Sequence, residues 1–272
     1  MKPSLTLVIA VYNAVKYLEF IFEALKRQSF KEFEVIVADD GSGSDIRELI
    51  ERVRSSVDFP IQHLWHEDNG FRKNIMLNNA IRASQSDNLV FIDGDCVPHR
   101  DFLFDHWTNR QENGLLCGKR VNLSKQLTEQ LTLEDIQTGK FERLSWRLFC
   151  DGLFARSINT EESLRITSPV LRKILVRPEG RILGCNFSVR KELLEKINGF
   201  NEDYRAPGRG EDSDIAFRLG LLGVRMVSIR FLAVQIHLYH NRTEGKDENK
   251  YLYEHILATR EMICKHGLKN LD

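Results

Sequence analysis

Leu89-Val90-Phe91-Ile92-Asp93-Gly94-Asp95-Cys96 is the stretch from which the rest of the chain can be read. Its apolar residues, without polar alternation, describe a short strand covered on both faces, the kind found in parallel α/β sheets. The strand stops in two acids separated by a glycine. Gly94 leaves the backbone free to bend there. Paired carboxylates suit a hard divalent cation, which in turn bridges a diphosphate well. A strand followed by an ordinary polar turn accounts for the same residues, so the decision falls to the sequence on either side.

Upstream, Leu5 to Val11 is a second apolar strand, turned by Tyr12-Asn13. Val15, Leu18, Ile21, Phe22 and Leu25 follow at helical spacing and predict an amphipathic helix over 15–28. Phe33 to Ala38 is the next strand, ending in Asp39-Asp40-Gly41-Ser42-Gly43, with a helix from about Asp45 to Ser55 capped by Ser44. A strand over Ile61 to His66 and a helix over Phe71 to Ala83 complete the alternation. Strands alternating with helices predict an α/β fold, a doubly wound and mostly parallel sheet with its ligand beyond the carboxyl ends of the strands. Tyr12-Asn13, Asp39-Asp40 and Asp93-Asp95 all fall at such ends, as in a nucleotide crevice.

The ligand is narrowed by what is missing. Gly41-Ser42-Gly43 mimics the start of the dinucleotide fingerprint, but Ile46 holds the place of its third glycine, and the two preceding acids would repel a pyrophosphate. Acids there suit acceptance of hydrogen bonds from a base or ribose. No Walker A sequence occurs. Arg72 and Lys73 open a helix, where cations oppose the dipole, so they are candidates for meeting a phosphate. Asn78 lies further along the same helix.

Between about Arg120 and Arg181 the pattern weakens. Lys119-Arg120-Val121 closes a strand. Trp146, Phe149 and Phe154 are candidates to pack over the site. Arg165, Arg172, Lys173, Arg177 and Arg181 form either a phosphate-rich or membrane-facing surface or a solvated face. The signal returns with a strand over Ile182 to Arg190, a short helix and the turn Asn198 to Glu202. Gly208-Arg209-Gly210 then leads into Glu211-Asp212-Ser213-Asp214, which opens a helix over Ile215–Leu222. Acids in a first turn serve the dipole, but this density behind flexible glycines also suits a general base. His237 and His240 follow a strand over Phe231–Ile236, placed to join Asp93 and Asp95 around a metal. Tyr251 to His266 predicts a closing helix, and the remainder reads as a tail.

Composition bounds the rest. A chain of 272 residues with 39 basic and 39 acidic side chains is globular and gives no global sign of nucleic acid. Its five cysteines are scattered, without a CxxC pair, which argues against a zinc site or a disulfide framework and fits a reducing compartment. Without a membrane-spanning run or leader, the chain is expected to be soluble and cytoplasmic.

Together these residues resemble glycosyltransferase family 2, the nucleotide-sugar-dependent transferases of GT-A fold. Val11-Tyr12-Asn13, Ala38-Asp39-Asp40-Gly41-Ser42, Gly70-Phe71-Arg72-Lys73 and Phe91-Ile92-Asp93-Gly94-Asp95 look like the family's N-terminal half, in its order. Asn198-Gly199-Phe200 through Asp214 looks like a galactosyltransferase-type module. The resemblance implies one GT-A domain over residues 1–272, with a nucleotide-sugar half at 1–121, a variable segment at 122–181, an acceptor and base half at 182–246 and a closing helix at 247–272. It implies that Asp40 meets the base, usually uracil, with Ala10, Tyr12 and Asn13 lining the pocket. Asp93 and Gly94 would lie near the ribose, Arg72 and Lys73 near the diphosphate, and Asn78 along the same helix. Asp95, His240 and His237 would hold Mn2+ (or Mg2+). Asp212 would be the catalytic base, with Glu211 beside it on the acceptor side.

The implied activity is inverting transfer of a hexose or N-acetylhexosamine from a UDP-sugar to a glycan or lipid-linked glycan, in bacterial-type surface polysaccharide or lipopolysaccharide synthesis, with peripheral membrane contact an open option. The module's usual tryptophan before its glycines is absent, with Ala206-Pro207-Gly208 in its place. That leaves acceptor stacking and sugar preference open. Two other classes share these features: a sugar nucleotidyltransferase, which would want a basic, glycine-rich loop where Ala10 to Lys16 stands, and a non-catalytic nucleotide-sugar-binding partner of another transferase.

Overall fold

The computed structural model describes residues 2–142, 146–154, 156–177, 179–208, 210–241 and 248–271. The N-terminal alternation forms as expected: β1 (Leu5–Val11), α1 (Val15–Lys26), β2 (Phe33–Asp39), α2 (Ser44–Arg54), β3 (Ile61–Trp65), α3 (Lys73–Ala83) and β4 (Asn88–Asp93). β5 (Cys96–Pro98), α4 (Phe102–Asn109), β6 (Gly114–Cys117) and β7 (Val121–Asn122) follow. The central segment holds α5 (Lys125–Gln130), α6 (Leu133–Thr138), α7 (Trp146–Leu153) and α8 (Pro169–Leu175). The last part comprises β8 (Phe187–Arg190), α9 (Lys191–Lys196), α10 (Glu211–Leu221), β9 (Arg225–Ser228), β10 (Gln235–His237) and α11 (Glu248–Thr259).

Seven strands make the main sheet in the order β3-β2-β1-β4-β8-β6-β9. β3, β2, β1 and β4 are parallel, while β8 runs antiparallel to β4 and to β6. The apolar runs lack alternation because both faces are covered. Leu5, Leu7 and Ile9 of β1 pack with α1 and α2, whereas Val8 and Ala10 face α3, α9 and α10 across the sheet. A smaller sheet, β5-β10-β7, matters most for the site. β10 pairs antiparallel with β5 and sets His237 opposite Cys96, one residue beyond Asp95.

Several boundaries differ from the sequence expectation. α2 begins at Ser44, with Gly43 at its N-cap and no side-chain capping bond. The strand expected to close at Val121 ends at Cys117, and Val121 opens β7 instead. Only Phe187–Arg190 of the expected 182–190 strand is extended, because Asn186 turns back through its N–H to Leu183 O. Phe231 and Ala233 take φ of +62° and +45°, so residues 231–234 cannot continue a strand and β10 is confined to Gln235–His237. α11 stops at Thr259, where Arg260 enters the left-handed region at φ +55°. The residues beyond are no loose tail. Asn198 Nδ2 donates to Cys264 O and Lys269 O, and the Arg82 guanidinium donates to Gly267 O and Leu268 O.

Candidate active site

A cleft of about 550 Å³ opens beyond the ends of β1, β2 and β4, with Ala10, Tyr12, Asn13, Asp40, Lys73, Asp93, Gly94 and Asp95 all on its wall. Two strand-end loops are tied together there. Asn13, at φ +49°, accepts from Gly43 N–H through Oδ1 (3.1 Å) and donates its own N–H to Ser42 Oγ (2.9 Å). Asp40 accepts from His66 Nε2 (2.8 Å) and from Arg72 N–H (2.9 Å). Burial pushes its carboxyl above the usual range, and these two hydrogen bonds oppose that without cancelling it. Tyr12 stands exposed at the mouth and donates to Asp68 Oδ2 at 3.0 Å.

Gly94 is required for a reason other than a left-handed turn. A Cβ there would lie 2.9 Å from Val11 Cγ2 and 3.1 Å from Ala10 O. Its N–H donates to Ala10 O at 2.7 Å, so β1 and the acid turn are in close contact. On either side of it the two acids part company. Asp93 accepts from Lys73 Nζ at 2.8 Å. Asp95 Oδ2 lies 3.4 Å from His237 Nε2 and 3.1 Å from His240 Nε2. Burial pushes the Asp95 carboxyl up, but hydrogen bonds from the two histidines outweigh it and hold the group below the usual carboxylate range. Hydrogen bonding to Asp95 likewise raises His240.

One ligand atom from each of Asp95, His237 and His240 lies within 4.8 Å of the others. That spacing and one oxygen with two imidazole nitrogens fit a single divalent ion. The mixed set favours Mn2+ over Mg2+, which prefers oxygen and water alone.

Glu211 and Asp212 arrive from the other half of the molecule at the start of α10. Asp212 Oδ2 accepts from Gly184 N–H at 3.1 Å. A side chain at 184 would overlap this carboxylate, since a Cβ would fall 2.1 Å from Asp212 Oδ1. Glu211 Oε1 lies 3.9 Å from Lys73 Nζ, so one ammonium lies between Asp93 and Glu211. Burial of Lys73 opposes its charge, but Asp93, Glu211 and Asp212 overcome this and raise its pKa well above the ordinary value. Glu211 is pushed up to about 7, by burial first and by the Asp212 and Asp93 charges, with Lys73 pulling the other way. Asp212 is also raised, chiefly by burial and by Asp93, against the pull of Lys73. Unlike Asp95, both carboxylates are therefore disposed to hold a proton.

Not every predicted residue joins this site. Asn78 is fully buried, donating to Phe200 O and Glu202 Oε1 and accepting from Phe200 N–H; it ties α3 to the Asn198–Glu202 turn and does not line the cleft. Arg72 contributes its backbone N–H, while its guanidinium donates back to Phe71 O. Asp214, which the sequence groups with Glu211 and Asp212, is a buried partner of Arg218 at 2.6 Å. Trp146 and Phe154 are 75% and 73% exposed and neither lines the cleft. Arg165 of the basic set is paired with Asp105 at 2.6 Å. Arg209 lies outside the described residues.

Sequence reasoning missed His66, Asp68, Phe71 and Tyr17. His66 stands just past β3, so the rule that polar residues at parallel strand ends face the ligand could have found it. Tyr17 lines the cleft from α1 and donates to Tyr239 O at 2.7 Å. That pairing spans the length of the chain, and no local pattern signals it.

Comparison with known proteins gives a consistent picture. The model for glycosyl transferase family 2 matches residues 6–197, and that for the N-terminal domain of galactosyltransferase matches residues 175–241. The chondroitin synthase of Escherichia coli is 24% identical over 264 residues, covering 89% of this chain and 35% of its own length. This chain thus spans about a third of that relative. Among solved structures, S. aureus TarS in complex with UDP aligns with a TM-score of 0.61 at 16% identity, over 97% of this chain and 67% of its own. The mannosyltransferase PcManGT of Pyrobaculum calidifontis, in complex with GDP-Man and Mn2+, aligns with a TM-score of 0.59 at 17% identity, over 93% and 69%. At these identities the structural likeness speaks for the fold, which is GT-A.

Proposed function

The chain belongs to glycosyl transferase family 2, and we propose that it moves a hexose or N-acetylhexosamine from a UDP-sugar to a hydroxyl of a glycan acceptor, with inversion, in polysaccharide or lipopolysaccharide synthesis. One observation carries this reading. Asp95, His237 and His240 converge on a point beside the donor cleft, and Lys73 links that side, through Asp93, to Glu211 and Asp212. This supports a nucleoside diphosphate on one side of Lys73 and a pair of carboxylates of raised pKa on the other.

In this reading the base of the nucleotide lies against Asp40 and the Ala10–Asn13 turn. The sugar points toward α10. Asp95, His237 and His240 would hold Mn2+, which when bound supplies positive charge opposite the departing diphosphate. Lys73 adds a second positive charge on the same side. Asp212, fixed by the Gly184 amide, accepts the proton of the attacking hydroxyl. The acceptor oxygen bonds to the anomeric carbon as the bond to the diphosphate breaks, so configuration inverts and no covalent nucleophile is needed. The high pKa of Asp212 suits proton acceptance. Glu211, holding its proton near neutrality, donates a hydrogen bond to the acceptor. The names of the polymer-forming relatives support a polysaccharide product, and the UDP complex of TarS supports a uridine donor.

The test is calorimetric titration with a panel of nucleoside diphosphate-sugars, each with Mn2+ and with chelator. Metal-dependent binding of one UDP-sugar, followed by turnover with an acceptor, is the expected result. Binding that ignores chelator would remove the metal role from Asp95, His237 and His240. Binding without transfer to any glycan would move the chain to the class of non-catalytic partners.

A further inference from the structure

α8 presents all its side chains except the half-buried Arg172 to solvent. None of its residues is buried, yet Ser168 caps it by accepting from Leu171 N–H and Pro169 stands in its first turn. Helices this short are marginal in water unless a face is covered. The face available is apolar. Val170, Leu171, Ile174 and Leu175 are 69%, 50%, 74% and 49% exposed. At 3.6 residues per turn they occupy an arc of about 140°, and Arg172 and Lys173 fall on either side of it, about 60° beyond its edges.

The charge around this face is of one sign. Between Ser168 and Arg181 stand Arg172, Lys173, Arg177 and Arg181 against the single acid Glu179. Lys173, Arg177 and Arg181 are exposed and make no ion pair among the described residues. A hydroxyl-rich glycan is a poor match for exposed aliphatic side chains. A second copy docked about a two-fold axis would bring these cations against their own kind. An anionic lipid surface satisfies both features at once: acyl chains cover the aliphatic arc, and the exposed Lys173, Arg177 and Arg181 reach the headgroups.

We propose that α8 and the segment following it form a peripheral docking surface for an anionic bilayer. Val170, Leu171, Ile174 and Leu175 enter the headgroup–acyl boundary, and Lys173, Arg177 and Arg181 bind lipid phosphates. The proposal does not depend on the transferase reading. It needs no membrane-spanning helix, and none of the described helices is long and apolar enough to be one.

Flotation of the whole chain with phosphatidylcholine vesicles, with and without phosphatidylglycerol, tests it. The chain is expected to float only with the anionic vesicles and to be released by salt. Each cation near such a surface contributes about fivefold in affinity, so Lys173→Gln with Arg177→Gln should weaken binding about 25-fold. Leu171→Asp with Ile174→Asp should abolish it. All four positions are exposed, and an unchanged melting temperature would confirm that the variants fold. Indifference of the unaltered chain to phosphatidylglycerol, or flotation of both variants equal to that of the unaltered chain, would overturn the proposal. So would a dimer in solution that Ile174→Asp dissociates, because the face would then belong to a contact between copies.

Discussion

Two acid clusters face one another across the site, and they are handled differently. In Asp93-Gly94-Asp95 each carboxylate has a basic partner within hydrogen-bonding range, Lys73 for the first and the histidine pair for the second. In Glu211-Asp212-Ser213-Asp214 only Asp214 has a cation within ion-pair contact distance on its own helix, Arg218, itself held by Ile197 O and Gly199 O, and burial still raises its carboxyl. Glu211 and Asp212 share the distant side of Lys73 and are left with raised pKa values. Similar residue types thus do different work. Pairing holds the Asp95 carboxyl in its charged form, as the proposed cation site requires. Under-pairing in a buried setting makes a group that takes up a proton.

Substitution can break this contrast at its sharpest point. Asp212→Asn is expected to lower kcat roughly 10²- to 10⁴-fold while leaving donor binding nearly unchanged; full activity in a steady-state assay would remove the base assignment. Asp95→Ala should fail differently, losing metal-stimulated donor binding in calorimetry along with turnover. Asp214→Ala separates structure from chemistry within one cluster. It leaves Arg218 buried without its counter-charge and should cost about 3–5 kcal/mol in denaturant unfolding.

A smaller effect is a pH slope. The folded-state pKa of Glu211, about 7, lies above its ordinary 4.5. The native state therefore binds this proton more tightly than the unfolded chain does. The resulting stabilisation is complete below pH 4.5 and is lost as pH rises through 7. Comparing unfolding of the unaltered chain with Glu211→Gln should reveal that slope, on the order of 3 kcal/mol in all, only in the former. Smallest is Asn78→Ala, expected to cost about 1–3 kcal/mol of stability through the Phe200 groups it leaves unpaired. Donor affinity measured by calorimetry should stay where it was, whereas a cleft residue would move it.

The N-terminal half was legible because its signals are local. Continuous apolar runs, helical spacing and acids at strand ends all fall within a few residues of one another, and the parallel β3-β2-β1-β4 block follows from them. The antiparallel insertion of β8 between β4 and β6 was not legible, since a four-residue strand carries no direction in its own sequence. The 182–186 turn carries Ile182, Leu183 and Cys185, whose composition suits a strand. Its backbone instead presents the Gly184 amide to Asp212, a partner 28 positions away. Asn78 was placed in the site by its helix neighbours. Only the Asn198–Glu202 turn packed against it shows that its amide is already satisfied.

The sequence by itself determined the α/β alternation, the strand-end acids and the presence of a histidine pair near the C-terminus, because periodicity and residue chemistry are local properties. Which acids are paired and which are left able to take a proton was decided only in three dimensions. The small β5-β10-β7 sheet carries His237 to Asp95, and the packing of α10 on the main sheet brings Glu211 to Lys73. The free energy of a charge depends on what surrounds it within a few ångströms, and those surroundings come from residues scattered along the whole chain.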